Sequence, residues 1–108
     1  LHVQDNCEAI MLAGRKAKKG GIYNIGGGNE LQNIELTEKI LKLLGKGKDF
    51  VEPVEDRKGH DRRYSLDCSK IGRLGWKPKI TFNKLVEIMV KADFENLDSF
   101  RKSNQSHV

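Results

Sequence analysis

The sequence predicts an α/β fold with about three helices and two or three short strands. Apolar residues recur at helical spacing in three separate segments. Short runs rich in strand-forming residues lie between those segments, bounded by glycine or proline. With 108 residues, of which 37% are hydrophobic, the chain can build one modest core. Because so few strands cannot complete a doubly wound sheet, the chain is interpreted as the smaller part of a larger α/β protein.

The first helix is predicted to begin at Asp5, which is a common capping residue. Glu8 follows three residues later, as a capping box requires. One helical face then carries four apolar side chains, Val3, Cys7, Ile10 and Met11. Gly14 and the basic run at 15–19 end the helix, with cations suited to its C-terminal dipole.

A short strand is predicted at residues 22–25, and the three glycines at 26–28 stop it. A glycine-rich turn between a strand and a helix can hold phosphate on its backbone amides. Neither G-x-G-x-x-G nor a Gly-Lys-Ser/Thr ending is present, and Glu30 would repel phosphate. The three glycines therefore favour a tight turn over direct ligand contact.

The second helix is the clearest element of the sequence. Asn33 is a capping residue type, apolar residues follow at helical spacing through Leu44, and Gly45 stands where a C′ glycine belongs. A second strand is predicted at 50–54, and Pro53 places it at a sheet edge.

Two further helical segments complete the chain. Asp67 or Ser69 is predicted to cap one helical turn through Leu74, and Thr81 to cap the last helix. The core face of that helix is predicted to hold Leu85, Ile88, Met89 and Ala92. Residues 98–108 are predicted to form a polar tail.

Composition and charge exclude several classes of protein. The formal net charge of +5 favours an anionic partner. The basic run at 15–19 contains no aromatic residue, which argues against nucleic acid as that partner. No segment has the roughly 20 apolar residues of a membrane span, so we expect no membrane partner. Cys7 and Cys68 lack metal spacing, so we expect reduced thiols, no metal and a cytoplasmic location.

A dense charged segment at 56–64 is the main candidate for ligand binding. Arg57 offers a planar fork that can hold diphosphate oxygens, and Gly59 allows the backbone to approach a ligand. Asp56 and Asp61 could orient Arg57 and His60 through hydrogen bonds. Taken alone, the segment is also compatible with a solvated loop whose charges pair with one another.

Several motifs, in the same order and register, resemble the C-terminal third of the extended short-chain dehydrogenase/reductases. They span residues 1 to about 82: Leu1-His2-Val3-x-Asp5-Asn6, Ile22-Tyr23-Asn24-Ile25-Gly26-Gly27-x-Asn29-Glu30-x-x-Asn33, Asp56-Arg57-x-Gly59-His60-Asp61-x-Arg63-Tyr64-x-x-Asp67-x-Ser69-Lys70-Ile71 and Leu74-Gly75-Trp76-x-Pro78. The Arg-x-Gly-His-Asp run resembles the dTDP-glucose 4,6-dehydratase family more than its epimerase relatives.

The resemblance implies a substrate-binding portion at 1–97 with an incomplete Rossmann sheet. The family converts dTDP-glucose to dTDP-4-keto-6-deoxyglucose and water with a tightly held NAD. It implies that the nucleotide-sugar site is lined by Asn33, Asp56, Arg57, Gly59 and His60. Arg57 would bind the diphosphate, while Asn33 and His60 would hold the nucleotide end. The complete enzyme would be a homodimer.

The chain also lacks elements that the resemblance makes important. It carries no dinucleotide fingerprint and no Tyr-x-x-x-Lys pair, so we expect no NAD binding and no catalysis by the chain alone. Lys58 stands where the dehydratases usually carry proline. Two alternatives remain open, namely the corresponding part of a UDP-sugar epimerase or decarboxylase, and a truncated non-enzymatic module for nucleotide binding or interaction.

Overall fold

The computed structural model describes residues 1–105, with side chains through residue 97. Within this range lie four α-helices, α1 (Val3–Lys16), α2 (Asn33–Leu44), α3 (Ser69–Gly72) and α4 (Phe82–Gln105), and a 3₁₀ turn at Lys48–Phe50. The last helix therefore continues into the segment predicted as a polar tail, and residues 106–108 lie outside the described range. Long irregular segments join the helices.

The predicted α/β class is wrong for this chain, because residues 1–105 contain no strand and no incomplete Rossmann sheet. Residues 22–25 are not in a ladder; side chains supply their described long-range hydrogen bonds. The Lys70 ammonium donates to the Ile22 carbonyl at 2.7 Å, and the Asn24 amide donates to the Asp67 carbonyl at 3.4 Å. A strand needs a neighbouring strand to satisfy its backbone, and the described part of the chain offers none.

The second predicted strand, at 50–54, is also absent. Its first residue ends the 3₁₀ turn, in which the Val51 amide donates to the Lys48 carbonyl at 3.0 Å. Beyond it the chain is irregular and exposed, with Val54 85% accessible. Strand-forming residue types do not form a strand here because no partner backbone lies alongside them.

Helix α1 begins earlier than predicted, and Asp5 is not its cap. The N-cap is His2, whose Nδ1 accepts a hydrogen bond from the Gln4 amide at 3.0 Å. The Asp5 side chain is instead buried. Its carboxylate oxygens accept hydrogen bonds from the backbone amides of Lys79 and Ile80 at 3.1 and 3.0 Å.

The Asp5 backbone makes a further contact with the same distant segment. The indole N–H of Trp76 donates to the Asp5 carbonyl oxygen at 3.1 Å. The three hydrogen bonds join the first turn of α1 to the connector before α4. A carboxylate can be buried in this way because both of its oxygens are hydrogen-bonded.

The opposite face of α1 from the one predicted makes the core. Ala9 is fully buried against Ile71 and Trp76, and partly buried Leu12 and Ala13 complete the contact. The apolar face defined by the sequence, with Val3, Cys7, Ile10 and Met11, is exposed in the described chain. Helical spacing identifies an apolar face without identifying what covers it.

We expect the stability of the chain to depend on pH through Asp5. Burial by itself raises the pKa of Asp5, but hydrogen bonds from the Ile80 and Lys79 amides, aided by nearby positive charges, hold it below its ordinary value of 3.8. Because the folded-state pKa is the lower one, the stabilisation is present above pH 3.8 and is lost as pH falls through the folded-state pKa.

Asp5→Asn tests this dependence. The asparagine NH₂ would face a backbone N–H, so we expect the melting temperature near pH 7 to fall by several degrees. Glu30 and Asp67 also have lowered pKa values and share the acid response of the wild type. The quantity to measure is therefore the difference between the wild-type and Asp5→Asn melting curves from pH 7 to pH 2. A constant difference over that range would contradict the assignment to Asp5.

The remaining helices follow their sequence signals closely. Gly45 ends helix α2 as predicted, in the left-handed conformation with φ +62°, but the N-cap is Gln32, and Asn33, predicted as the cap, is the first helical residue. Thr81 caps α4, since its Oγ1 accepts a hydrogen bond from the Lys84 amide at 3.3 Å. Asp67 precedes Cys68, the N-cap of α3, and accepts a hydrogen bond from the Ser69 amide at 2.9 Å; α3 ends at Gly72, before the predicted Leu74.

Helices α2 and α4 pack against each other and form the second contact region of the chain. Leu85 and Val86 of α4 are buried, whereas Ile88 and Met89, predicted on the core face, are 36% and 56% exposed. The Lys39 ammonium donates to Asn83 Oδ1 at 3.1 Å across this pair. No helix among the described residues is long and apolar enough to cross a bilayer.

Candidate functional site

A groove of about 570 Å³ lies between the glycine turn and the end of the charged segment. Residues 26–30 form one wall and residues 63–66 form the other. Leu1 and Phe82 also line it. The groove therefore brings together two segments that are more than thirty residues apart in sequence.

The glycine turn is closely packed against the opposite wall. A Cβ atom on Gly26 would lie 3.3 Å from Cys68 Sγ and 3.5 Å from a Leu66 methyl group. Gly28 adopts φ +68°, a conformation that L-residues rarely take. Gly28 is favoured by its backbone conformation and Gly26 by the side chains packed against it, but residues 26–28 form no hydrogen-bonded turn, so the tight turn predicted from the sequence is absent.

A charged clamp joins the two walls, formed by Glu30, Arg63 and Ser65. Arg63 Nη2 donates a hydrogen bond to Glu30 Oε1 at 2.8 Å and forms an ion pair with Glu30 Oε2 at 2.6 Å. The Ser65 hydroxyl donates to Glu30 Oε1 as well. Sequence reasoning missed this clamp, because no local signal connects residues 33 and 35 positions apart.

The hydrogen bonds of the clamp shift the pKa values of Glu30 and Arg63. The hydrogen bonds from Arg63 and Ser65 lower the pKa of Glu30. The hydrogen bond to Glu30 and the charge of its carboxylate raise the pKa of Arg63. Glu30 therefore carries its charge at neutral pH with that charge compensated, contrary to the expectation that it would repel a phosphate.

Four of the five predicted site residues lie in one exposed turn beyond the groove. The His60 amide donates to the Arg57 carbonyl at 3.1 Å, and Gly59 has φ +73°. No side chain or backbone lies within 4 Å of a Cβ built on Gly59. The glycine is thus required by the turn conformation, with open space beside it for a ligand.

The side chains of this turn are weakly engaged. Asp56 Oδ1 lies 3.8 Å from His60 Nδ1, which is too long for a hydrogen bond, and the Asp56 side chain is 97% exposed. The Arg57 guanidinium has no hydrogen-bond or ion-pair partner among residues 1–97. Asp56 is therefore not held as the orienting hydrogen-bond partner that the sequence suggested.

Asn33, the fifth predicted residue, is the first residue of α2. Its carbonyl oxygen accepts a hydrogen bond from the Thr37 hydroxyl at 2.8 Å, and the residue is exposed. Asn33 is three residues after Glu30, so the contacts of Glu30 with Arg63 and Ser65 link the segment before α2 to the charged segment. The hydrogen bonds and ion pairs of residues 1–97 do not join Asn33 directly to the Arg57 turn.

The Arg57 turn leads to a stability prediction for Lys58. Gly59 has positive φ and Lys58 does not, which is the pattern of a type II turn with Lys58 at the position that favours proline. The Lys58 amide makes no backbone hydrogen bond within the described residues. Lys58→Pro is therefore expected to raise the free energy of unfolding by about 0.4–1 kcal/mol, by restricting the unfolded chain.

Urea denaturation of wild type and Lys58→Pro measures this gain. Lys19→Ala, at an exposed site in the loop after α1, is the control for loss of a lysine. A Lys58→Pro protein less stable than wild type would show that Lys58 does not occupy this turn position.

Other site chemistries have no support in the part of the chain that the structure describes. No group of three or more histidine, cysteine or acidic side chains there could hold a metal ion. Cys7 and Cys68 are both free thiols.

Comparison with known proteins identifies a family and several relatives. A family model described as GDP-mannose 4,6 dehydratase matches residues 1–89. The chain is 53% identical over 83 residues to a dTDP-glucose 4,6-dehydratase of Streptomyces niveus, a match that covers 76% of this chain and 25% of that protein. It is 47% identical over 90 residues to the low-salt glycan biosynthesis protein Agl12 of Haloferax volcanii, covering 83% of this chain and 29% of that protein.

A solved structure gives the same result in three dimensions. DesIV, a dTDP-glucose 4,6-dehydratase of Streptomyces venezuelae with NAD and TYD bound, matches with a TM-score of 0.83 and 45% identity. The match covers 89% of this chain and 30% of that one. The chain therefore spans between a quarter and a third of the length of these relatives.

Proposed function

The chain belongs to the GDP-mannose 4,6 dehydratase family, and from that premise we propose that it is the substrate-binding part of a dTDP-glucose 4,6-dehydratase. The resemblance seen in the sequence, to the C-terminal part of such enzymes, is confirmed by the relatives. The complete enzyme converts dTDP-glucose to dTDP-4-keto-6-deoxyglucose and water, so it is a hydro-lyase.

One observation of the structure carries the proposal. The Arg57 guanidinium is unpaired within the described residues, whereas Arg63, six positions later, is compensated by Glu30. An unpaired guanidinium on an ordered turn can bind two diphosphate oxygens at once. Of these two arginines, Arg57 is therefore the one available to a nucleotide diphosphate.

The other predicted residues receive roles around this contact. Asn33, at the positive end of α2, and His60, beside Arg57, hold the nucleotide end of dTDP-glucose. Gly59 keeps the turn tight and leaves room for the ligand. Asp56 stands beside His60, with its Oδ1 3.8 Å from His60 Nδ1, and lines the same turn. These roles extend the family resemblance residue by residue.

NAD belongs to the part of the complete enzyme that this chain does not match. When bound there it supplies the oxidation at C4 of the sugar and the return of hydride at C6. Residues of this chain bind and orient the substrate, and we assign none of them to the chemical step. We expect the chain alone to bind no NAD, and we propose a cytoplasmic homodimer as the complete enzyme.

A chimaera provides the direct experiment. This chain replaces the matched segment of the Streptomyces niveus dehydratase, and the product is assayed with dTDP-glucose and NAD. Formation of the 4-keto-6-deoxy product supports the proposal. A chimaera that folds and holds NAD but leaves dTDP-glucose unchanged would contradict it.

Assays of other substrates and of ligand binding test the two alternative functions, a UDP-sugar epimerase or decarboxylase and a non-enzymatic nucleotide-binding module. Turnover of UDP-sugars in place of dTDP-glucose would favour an epimerase or decarboxylase. Addition of dTDP to the isolated chain, followed by chemical shifts in its amide NMR spectrum, tests binding without the rest of the enzyme. Shifts confined to Asn33 and residues 56–60 are the expected result, and NAD should cause none.

A further inference from the structure

The clamp of Glu30, Arg63 and Ser65 lies between the residues that the proposed function uses. Glu30 is three positions before Asn33, and Arg63 is three positions after His60. The clamp residues line the groove, whereas the proposed binding residues do not. The clamp therefore links the two segments that carry the proposed binding residues, although the clamp residues are not themselves proposed to bind the ligand.

We propose that Glu30 is a positioning residue, which binds Arg63 and Ser65 so that the Arg57 turn is held beside the start of α2 for the diphosphate. The inference rests on the proposed function. In the clamp, one carboxylate receives two contacts from a guanidinium nitrogen and one from a hydroxyl. Because Glu30 contacts both Arg63 and Ser65, it restrains the position of residues 63–65 more closely than an ion pair with Arg63 alone would.

Because the clamp side chains are exposed, we expect the clamp to affect the relative position of the two segments more than the free energy of unfolding. The side chains of Arg63 and Glu30 are 69% and 45% exposed. Ion pairs at this exposure contribute little to the free energy of unfolding. The same contacts can still change affinity, because a ligand binds in proportion to the fraction of molecules that hold the competent arrangement.

Charge compensation is the second consequence of the clamp. With Glu30 bound, the Arg63 guanidinium is compensated by a carboxylate and does not compete with Arg57 for a diphosphate. Glu30→Gln would release Arg63 and add one positive charge to the region. If long-range charge alone governed binding, this variant would bind dTDP more tightly. The positioning role predicts the opposite.

The experiment is an NMR titration of the complete chain with dTDP, for wild type, Glu30→Gln, Arg63→Gln and the double variant. We expect each single variant to raise Kd roughly tenfold, as when the competent fraction falls to about a tenth. The double variant should be no weaker than the single ones, because both changes break the same link. Melting temperatures should remain within a few degrees of wild type.

The matched control is Glu38→Gln. Glu38 forms a comparable exposed ion pair with Lys48 at 2.9 Å, and its side chain is 47% exposed. This variant should leave both Kd and the amide dynamics of the Arg57 turn unchanged.

The experiment has different outcomes for failure of the positioning role and for failure of the proposed function. A Glu30→Gln Kd within twofold of wild type, or fully additive losses in the double variant, would overturn the positioning role while leaving the proposed function in place. A wild-type chain whose spectrum does not respond to dTDP would count against the proposed function. In that case ¹⁵N relaxation at Gly59 and His60 decides the clamp: greater mobility in Glu30→Gln but not in Glu38→Gln supports it, and unchanged mobility overturns it.

Discussion

Arg57→Ala is expected to weaken binding of dTDP-glucose roughly 10- to 150-fold. A hydrogen bond to a charged group contributes about 1.5–3 kcal/mol, and each 1.4 kcal/mol is about a factor of ten in affinity. Nothing in the described chain occupies the Arg57 guanidinium, so its removal disturbs no internal contact. Because the diphosphate lies far from C4 to C6 of the sugar, the loss should appear mainly in KM of the chimaeric enzyme.

Two further variants serve as controls for the effect of Arg57→Ala. Arg57→Lys should recover only part of the loss, since an ammonium group is a point charge without the planar fork. Arg15→Ala, on the last turn of α1, removes the same charge from a distant surface and should change KM little. If kcat/KM of Arg57→Ala stays within twofold of wild type, the charged segment is a solvated loop and the proposed diphosphate contact is wrong.

Ile71→Ala is expected to lower the free energy of unfolding by about 2–5 kcal/mol. Ile71 is fully buried at the centre of the core formed with Ala9 and Trp76. Truncation removes apolar contacts from both and leaves a cavity that the small core cannot fill. Since few large side chains are fully buried in the described chain, this single change removes a large part of its packing.

Graded substitutions check that packing is the cause. Ile71→Val should cost about 0.5–1.5 kcal/mol. Ile22→Ala changes an isoleucine that is 82% exposed and should have an effect within about 0.5 kcal/mol. Urea denaturation followed by circular dichroism gives all three values. Equal losses for Ile71→Ala and Ile22→Ala would contradict the core described above.

Elements with complete local signals were predictable from the sequence. Helix α2 ends at a glycine in the left-handed region as predicted, and its N-cap, Gln32, lies one residue before the predicted Asn33. These signals act within one turn of the chain, so sequence spacing is sufficient to recognise them. The cap at Thr81 and the hydrogen bond from the Ser69 amide to Asp67 were predictable for the same reason.

Features that depend on distant partners were not predictable. The strands expected at 22–25 and 50–54 failed because strand formation requires a neighbour that spacing does not reveal. Asp5 was predicted as a helix cap, yet its carboxylate oxygens accept hydrogen bonds from backbone amides more than seventy residues away. The clamp on Glu30 depends on a similar long-range contact. The turn at 56–60 could be predicted as a unit because its residues are adjacent, and its role in binding stays a prediction.

The link between Asp5 and the segment around Trp76 sets an order of events during synthesis. The three hydrogen bonds join residues 71, 74 and 75 positions apart. At about 5–20 residues per second, a ribosome needs roughly 4 to 15 s to make the second partner after the first. During that interval α1, with 14 residues, lacks Ile71 and Trp76, the core residues that it packs against in the described structure, and an isolated helix of this length is only marginally stable. Proteolysis of stalled nascent chains should therefore show protection of α1 only once residue 80 has left the exit tunnel, and protection in shorter chains would show that α1 finds another partner first.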